Sequence, residues 1–218
     1  MKFFNVDQLI SQLTKADTVI FLLRHAERRH ITLSDPHFGA LVGITPNGEK
    51  QAQSFGASLP ATGDALYFSS PVGRCKETAA FIAKGRKDTD FDSVNKIPEI
   101  KALGNMFVKN IESYTDSLKV DFYKELLNYF DGNKHPAFYP LQETVEKHLE
   151  LFLEKAKAKW NFFLSHDAWV MPFLVHYLGA KFSKDQWMNF LSGLAITKTE
   201  DKLEFYAITG LENGYLSL

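Results

Sequence analysis

Cys75 is the only thiol in this 218-residue chain. A lone cysteine closes no internal disulfide and builds no cysteine-based metal centre, which suits a reducing compartment. Long apolar runs are also missing, and no stretch reaches the length that a transmembrane helix requires. Met1 to Leu13 mixes polar and apolar residues, without the unbroken apolar core of a signal peptide. The expected location is therefore cytoplasmic, although an exported chain stripped of its leader would read the same way. Excess charge of one sign is absent as well. With 25 Lys and Arg against 26 Asp and Glu, the formal net charge is −1. No global field draws the chain to nucleic acid or to an anionic membrane, so neither is expected as a partner and any cationic site must be local. Repeats, low-complexity tracts and flexible linkers are lacking too. One domain over residues 1–218 is the expectation, with a cap insertion at about 101–140.

What is present is an aromatic-rich globular composition, with 19 Phe and a 45% apolar fraction. Asn5 to Lys15 has the spacing of a short amphipathic helix. Thr18 to Leu23, Ala65 to Phe68 and Asn161 to Leu164 are short apolar runs, as strands buried on both faces are. Val94 to Ile97 reads as another short strand. Thr45-Pro46 starts a helix, with Thr as N-cap and Pro in the first turn, running to about Leu59. Arg74 to Lys84, a stretch near Ser117 to Phe130, Leu141 to Trp160 and Trp169 to Leu178 read as further helices, the last stopped by Gly179. Ser183 to Gln186 has capping-box form and predicts one more helix. Leu194 to Thr199 and Leu203 to Ile208 read as a closing antiparallel hairpin. Strands alternating with helices predict an α/β/α sandwich on a mostly parallel sheet.

The chemistry gathers at three strand ends. Phe21-Leu22-Leu23 stops at Arg24-His25, followed by Glu27, Arg28, Arg29 and His30. Uncompensated cations are expensive to hold at the end of a buried strand, so an anion should sit among them, phosphate first. The second strand ends at Ser69 to Arg74 and the fourth at His166-Asp167. In open parallel sheets, ligands bind beyond the carboxyl ends of the strands, where such loops are neighbours.

These residues resemble the motifs of the histidine phosphatase superfamily, which includes phosphoglycerate mutases and histidine acid phosphatases. Arg24-His25-Ala26-Glu27 is similar to its Arg-His-Gly signature, with Ala26 where that signature has Gly. Thr45-Pro46-Asn47-Gly48 through Gln51-Ala52 resembles its Leu-Thr…Gly…Gln-Ala helix start. Ser69-Ser70-Pro71-Val72-Gly73-Arg74-Cys75-Lys76-Glu77-Thr78-Ala79 resembles its Ser-Ser-Pro-x-x-Arg-x-x-Glu-Thr-Ala stretch. Ser165-His166-Asp167 is similar to its second-histidine motif. Arg28 and Asp167 match the acid-phosphatase branch, while His30 stands where that branch has Pro.

The resemblance implies a phosphoglycerate mutase-like fold, a small phosphorylated substrate, inorganic phosphate as product, and no metal or other cofactor. It implies His25 as the nucleophile that becomes phosphohistidine, with Arg24, Arg28, Arg74 and His166 binding phosphate. It offers two proton donors: Asp167, as in the acid-phosphatase branch, and Glu99, placed as in the mutase branch. A phosphoglycerate-type mutase and a phosphate-binding module without turnover are the alternatives to a hydrolase. Simpler readings exist for some residues. Asp167 could only cap a helix, Glu99 could be an ordinary surface acid, Arg28 could be solvated charge, and Glu27 could pair with an arginine. His30, His37, His135, His148 and His176 lack metal-ligand spacing with one another.

Overall fold

The computed structural model describes residues 1–32, 34–118 and 121–218, apart from the Phe38 side chain. The elements in chain order are α1 (Val6–Lys15), β1 (Thr18–Arg24), α2 (Pro46–Ala57), β2 (Ala65–Ser69), α3 (Gly73–Arg86) and α4 (Ile111–Leu118). They continue with α5 (Phe122–Phe130), α6 (Leu141–Lys155), β3 (Trp160–Ser165), α7 (Asp167–Leu178), β4 (Trp187–Met188), β5 (Ser192–Thr199), β6 (Lys202–Thr209) and β7 (Tyr215–Leu216).

Five strands form the central sheet in the order β2-β3-β1-β5-β6. β3 pairs in parallel with both β1 and β2, and β5 runs antiparallel to β1 and β6. Four of the five strands therefore point the same way. Alternation along β1 separates two cores. Val19, Phe21 and Leu23 pack with α1, α2 and α3, and Ile20 and Leu22 pack with α5, α6 and α7. This is the expected α/β/α sandwich. Aromatic side chains stack across the sheet. Tyr67, Phe162 and Phe21 are in register across β2, β3 and β1, and their rings stack at 4.6 and 5.1 Å.

Local signals explain most boundaries. Thr45 caps α2 by accepting from the Gly48 amide at 3.0 Å, and Gly179 ends α7 in the left-handed region at φ 62. Four expectations are corrected. Val94–Lys96 forms a 3-10 turn rather than a strand, and the chain reaches β2 just after it, where Glu99 bridges Ser69. The helix expected over Leu141 to Trp160 stops at Lys155, because Trp160 starts β3 opposite Val19 and Ala65. The stretch near Ser117 to Phe130 is two helices, α4 and α5, the second capped by the Asp121 carboxylate on the Lys124 amide. Ser183 to Gln186 closes a tight turn instead of opening a helix. The Ser183 hydroxyl accepts from the Gln186 amide at 3.1 Å, and β4 follows, paired with β7. Among the described residues no helix is long and apolar enough to cross a membrane.

Helices α2 and α3 touch backbone to backbone. A Cβ on Gly56 would lie 2.0 Å from the Ile82 carbonyl oxygen, and one on Gly85 would lie 2.0 Å from that of Gln53. Gly73, by contrast, has open space around the same position. Gly56→Ala should therefore destabilise the fold by about 1–3 kcal/mol through overpacking and lower the melting temperature by several degrees. Gly73→Ala should leave it within about 0.5 kcal/mol of the parent. Equal melting temperatures for the two variants would contradict this packing.

Candidate active site

The site is assembled by register. Arg24, the last residue of β1, lies opposite Ser165, the last of β3, and Ser69 at the end of β2 lies opposite Leu164. The residues that follow, His25, His166 and Ser70, therefore leave the sheet at one edge. The His25 amide donates to the Ser165 carbonyl at 3.0 Å and holds this arrangement. Arg74 enters from the first turn of α3. A cation at a helix N-terminus opposes the helix dipole, so its position there is dictated by what it faces.

Arg24, His25, Arg74 and His166 are all buried, between 2% and 9% exposed. The His25 Nδ1 lies 2.8 Å from the Ala26 carbonyl, which can only accept, so Nδ1 carries the proton. Nε2 is then a free lone pair, and Arg74 Nε donates to it at 3.1 Å. Arg74 also donates from Nη1 to the Gly39 carbonyl at 2.8 Å and from Nη2 to His166 Nδ1 at 3.4 Å. With Nδ1 accepting, His166 donates from Nε2 to the Ser70 hydroxyl at 3.1 Å. Burial first, then Arg74, His166 and Arg24, push the His25 imidazole well below its ordinary pKa. Burial and Arg74 push His166 down to about 3, against the opposing pull of Asp167. Both rings are therefore neutral at neutral pH.

Arg24 Nη2 pairs with Asp167 Oδ2 at 3.1 Å, and its Nη1 donates to the Met188 carbonyl. Its guanidinium carbon lies 4.1 Å from the centre of the Phe190 ring. Two further donors are buried with no partner among the described residues, Arg24 Nε and Arg28 Nε. Arg28 donates to the Arg29 carbonyl at 2.8 Å, and its charge is among the causes that lower the pKa values of Arg24, Arg74 and His166. Five of the residues singled out from sequence, Arg24, His25, Arg74, His166 and Asp167, are thus in one network, with Arg28 beside it. Glu99 reaches the rim through its bridge to Ser69. It is 42% exposed and ion-paired with Lys76. Among the described residues Glu27 meets Thr45, Asn47 and Gln51 rather than an arginine. Its carboxylate accepts from Thr45 Oγ1 at 2.7 Å and Asn47 Nδ2 at 2.8 Å, tying β1 to the start of α2.

Sequence reasoning missed Trp187, Met188 and Phe190. They follow Ser183 to Gln186, whose capping-box form predicts a helix start, and no spacing signal connects them to Arg24. The Gly39 carbonyl was hidden in a stretch without periodicity.

Comparison with known proteins bears on this arrangement. Residues 20–206 match the model of the histidine phosphatase superfamily, branch 1. The chain belongs to that superfamily. The features shared with the acid-phosphatase branch, Arg28 and Asp167, sit in a chain that matches the branch 1 model. No curated protein matches the chain significantly. Solved structures of the same fold include a mutant phosphoserine phosphatase from Entamoeba histolytica in complex with phosphoserine. It is 18% identical with TM-score 0.55, and the match covers 86% of this chain and 94% of that one. A putative alpha-ribazole-5'-P phosphatase from Escherichia coli K-12 is 15% identical with TM-score 0.54, covering 92% and 98%. Phosphoglycerate mutase from Bacillus anthracis is 13% identical with TM-score 0.55, covering 89% and 94%. At these identities the likeness concerns the fold that the superfamily members share.

Neutral, buried histidines link stability to pH. Unfolded imidazoles take up protons near pH ~6.5, whereas His166 in the folded chain resists until about 3. The unfolded state therefore binds more protons in this window, and stability falls as pH drops from about 7 towards 3. Each such histidine contributes up to about 1.4 kcal/mol per pH unit. His166→Gln should flatten the fall measured by denaturant unfolding between about pH 7 and pH 4.5. Identical slopes for parent and variant would contradict a neutral His166.

Proposed function

We propose that this chain is a metal-independent phosphomonoester hydrolase working through a phosphohistidine on His25. The observation that carries this reading is the state of the His25 ring. Its Nδ1 proton is committed to the Ala26 carbonyl, and its Nε2 lone pair faces buried guanidinium groups.

The steps follow from that arrangement. Arg74 turns its Nε–H from His25 Nε2 to an oxygen of the incoming phosphate, and Arg24 and Arg28 offer the donors that are otherwise unpaired. Nε2 attacks phosphorus in line, the P–O bond to the alcohol breaks, and the leaving oxygen takes a proton from a carboxylic acid. Water then attacks phosphorus and gives up a proton to that carboxylate. The N–P bond breaks, and inorganic phosphate and neutral His25 are released. His166 turns its Nε2–H from the Ser70 hydroxyl to a phosphate oxygen. The arginines supply the charge neutralisation on which phosphoryl transfer mainly depends. The candidates for the acid are Asp167 and Glu99. We read residues 1–218 as one domain, with the segment at about 101–140 as a cap beside the pocket that sets which small phosphorylated substrate is accepted. The phosphatases and the mutase of the same fold make both hydrolysis and transfer precedented for such a domain.

Rapid quenching with a 32P-labelled phosphomonoester should yield an acid-labile, base-stable phosphoenzyme, absent in His25→Ala. Label should leave as inorganic phosphate, whereas a mutase would pass it to a second hydroxyl. Arg74→Ala should lower kcat/KM by at least about 10²-fold, as removal of one electrostatic donor does elsewhere. A chain that neither forms the phosphoenzyme nor releases phosphate from a panel of esters is not a phosphatase.

A further inference from the structure

The segment from Trp187, the first residue of β4, to Leu191 holds both halves of the Arg24–Asp167 pair. The Trp187 indole Nε1 donates to Asp167 Oδ2 at 3.0 Å, the same oxygen that meets Arg24. Met188 offers its carbonyl to Arg24 Nη1, the Phe190 ring lies under the Arg24 guanidinium carbon, and the Leu191 amide donates to the His25 carbonyl at 3.3 Å. Trp187 itself is 1% exposed and is placed by its β-bridge to Leu216. The other Asp167 oxygen, Oδ1, accepts from the Ala168 amide at 2.9 Å.

This leaves Asp167 poorly suited to donate a proton. Both its oxygens face N–H donors, and all of these favour the carboxylate form. Burial works to raise its pKa, but Arg24, the indole N–H and the Ala168 amide outweigh it and hold the carboxyl below its ordinary value. Glu99 differs: it is 42% exposed, and its ion pair with Lys76 uses Oε1.

We propose that Trp187 is a positioning residue that fixes Asp167 as the ionised partner of Arg24, so that Asp167 orients the phosphate-binding guanidinium rather than protonating the leaving group. This rests on the hydrolase reading for its kinetic arm, but not for its binding arm. Tyr123 of α5 meets the Trp187 ring edge-on, with centroids 5.1 Å apart. The 101–140 segment thereby braces the same clamp from outside.

The test uses the full chain and the variants Trp187→Phe, which keeps the ring and loses the N–H, and Asp167→Asn. Loss of one hydrogen bond to a charged group should weaken orthophosphate binding, measured by titration calorimetry, about tenfold in Trp187→Phe. Asp167→Asn should weaken it at least as much, and the double variant no more than Asp167→Asn alone. Both single variants should slow an aryl phosphate and an alkyl phosphate by the same factor, because the lost interaction acts on the phosphoryl group. An Asp167→Asn variant that slows the alkyl ester far more than the aryl ester would overturn the proposal and make Asp167 the acid. Unchanged phosphate affinity in Trp187→Phe would overturn it as well. If the parent binds phosphate but hydrolyses no ester, the hydrolase reading fails while the calorimetric comparison still decides the role of Trp187. If Trp187→Phe does not fold, the leaving-group comparison in Asp167→Asn decides alone.

Discussion

A guanidinium buried at the end of an apolar strand is the constraint around which this site is organised. Arg24 is 3% exposed, and a lone charge in such surroundings is strongly disfavoured. Its neighbours answer that cost group by group. Asp167 supplies the counter-charge, Met188 a carbonyl, and Phe190 a ring face. Nε is left over, and Arg28 Nε is left over beside it. Buried cationic donors left unpaired among the described residues suit an anion, as the proposed phosphate site requires. Burial first, and then the charges of Arg74 and Arg24, keep His25 and His166 neutral, the state that the proposed attack on phosphorus needs.

The scaffold follows from the sheet. Parallel pairing of β1, β3 and β2 places three strand ends side by side, and these ends carry Arg24-His25, His166-Asp167 and Ser69-Ser70. The backbone contacts there are specific. Ala26, fully buried where the family signature has Gly, donates its amide to Thr78 Oγ1 at 2.9 Å, and that hydroxyl donates in turn to the Arg74 carbonyl at 2.7 Å. The loop that carries His25 and the helix that carries Arg74 are thereby locked together. Cys75, the lone thiol, is consumed in the same packing: its Sγ donates to the Ser165 carbonyl at 3.3 Å, and burial raises its pKa to about 12.

Much of this was legible in the sequence because the signals were local. An apolar run ending in Arg-His, a Thr-Pro helix start and an Arg in the first turn of a helix each carry their meaning within a few residues. The readings that failed depended on contacts across the chain. Ser183-Lys184-Asp185-Gln186 has the composition of a helix start, yet Trp187 and Met188 pair with Leu216 and Tyr215, and that pairing decides for strand. The role of Trp187 exists only through the same pairing, so no local pattern announces it. Val94 to Ile97 has β-branched composition, but the register with β2 is taken up a few residues later at Glu99. Glu27 adjoins Arg28 in sequence but turns to Thr45 and Asn47 at the start of α2. Its neighbours along the chain were a poor guide to its partners in space.

His25 is held neutral and protonated on Nδ1, with the Arg74 Nε–H donating to its Nε2 lone pair. Ring 15N chemical shifts of His25 in the free protein, followed by NMR from about pH 8 to pH 5, test it most directly. The account predicts the Nδ1–H tautomer throughout, with no protonation step in that range. An imidazolium forming near its ordinary pKa of ~6.5, or a proton on Nε2, would contradict it.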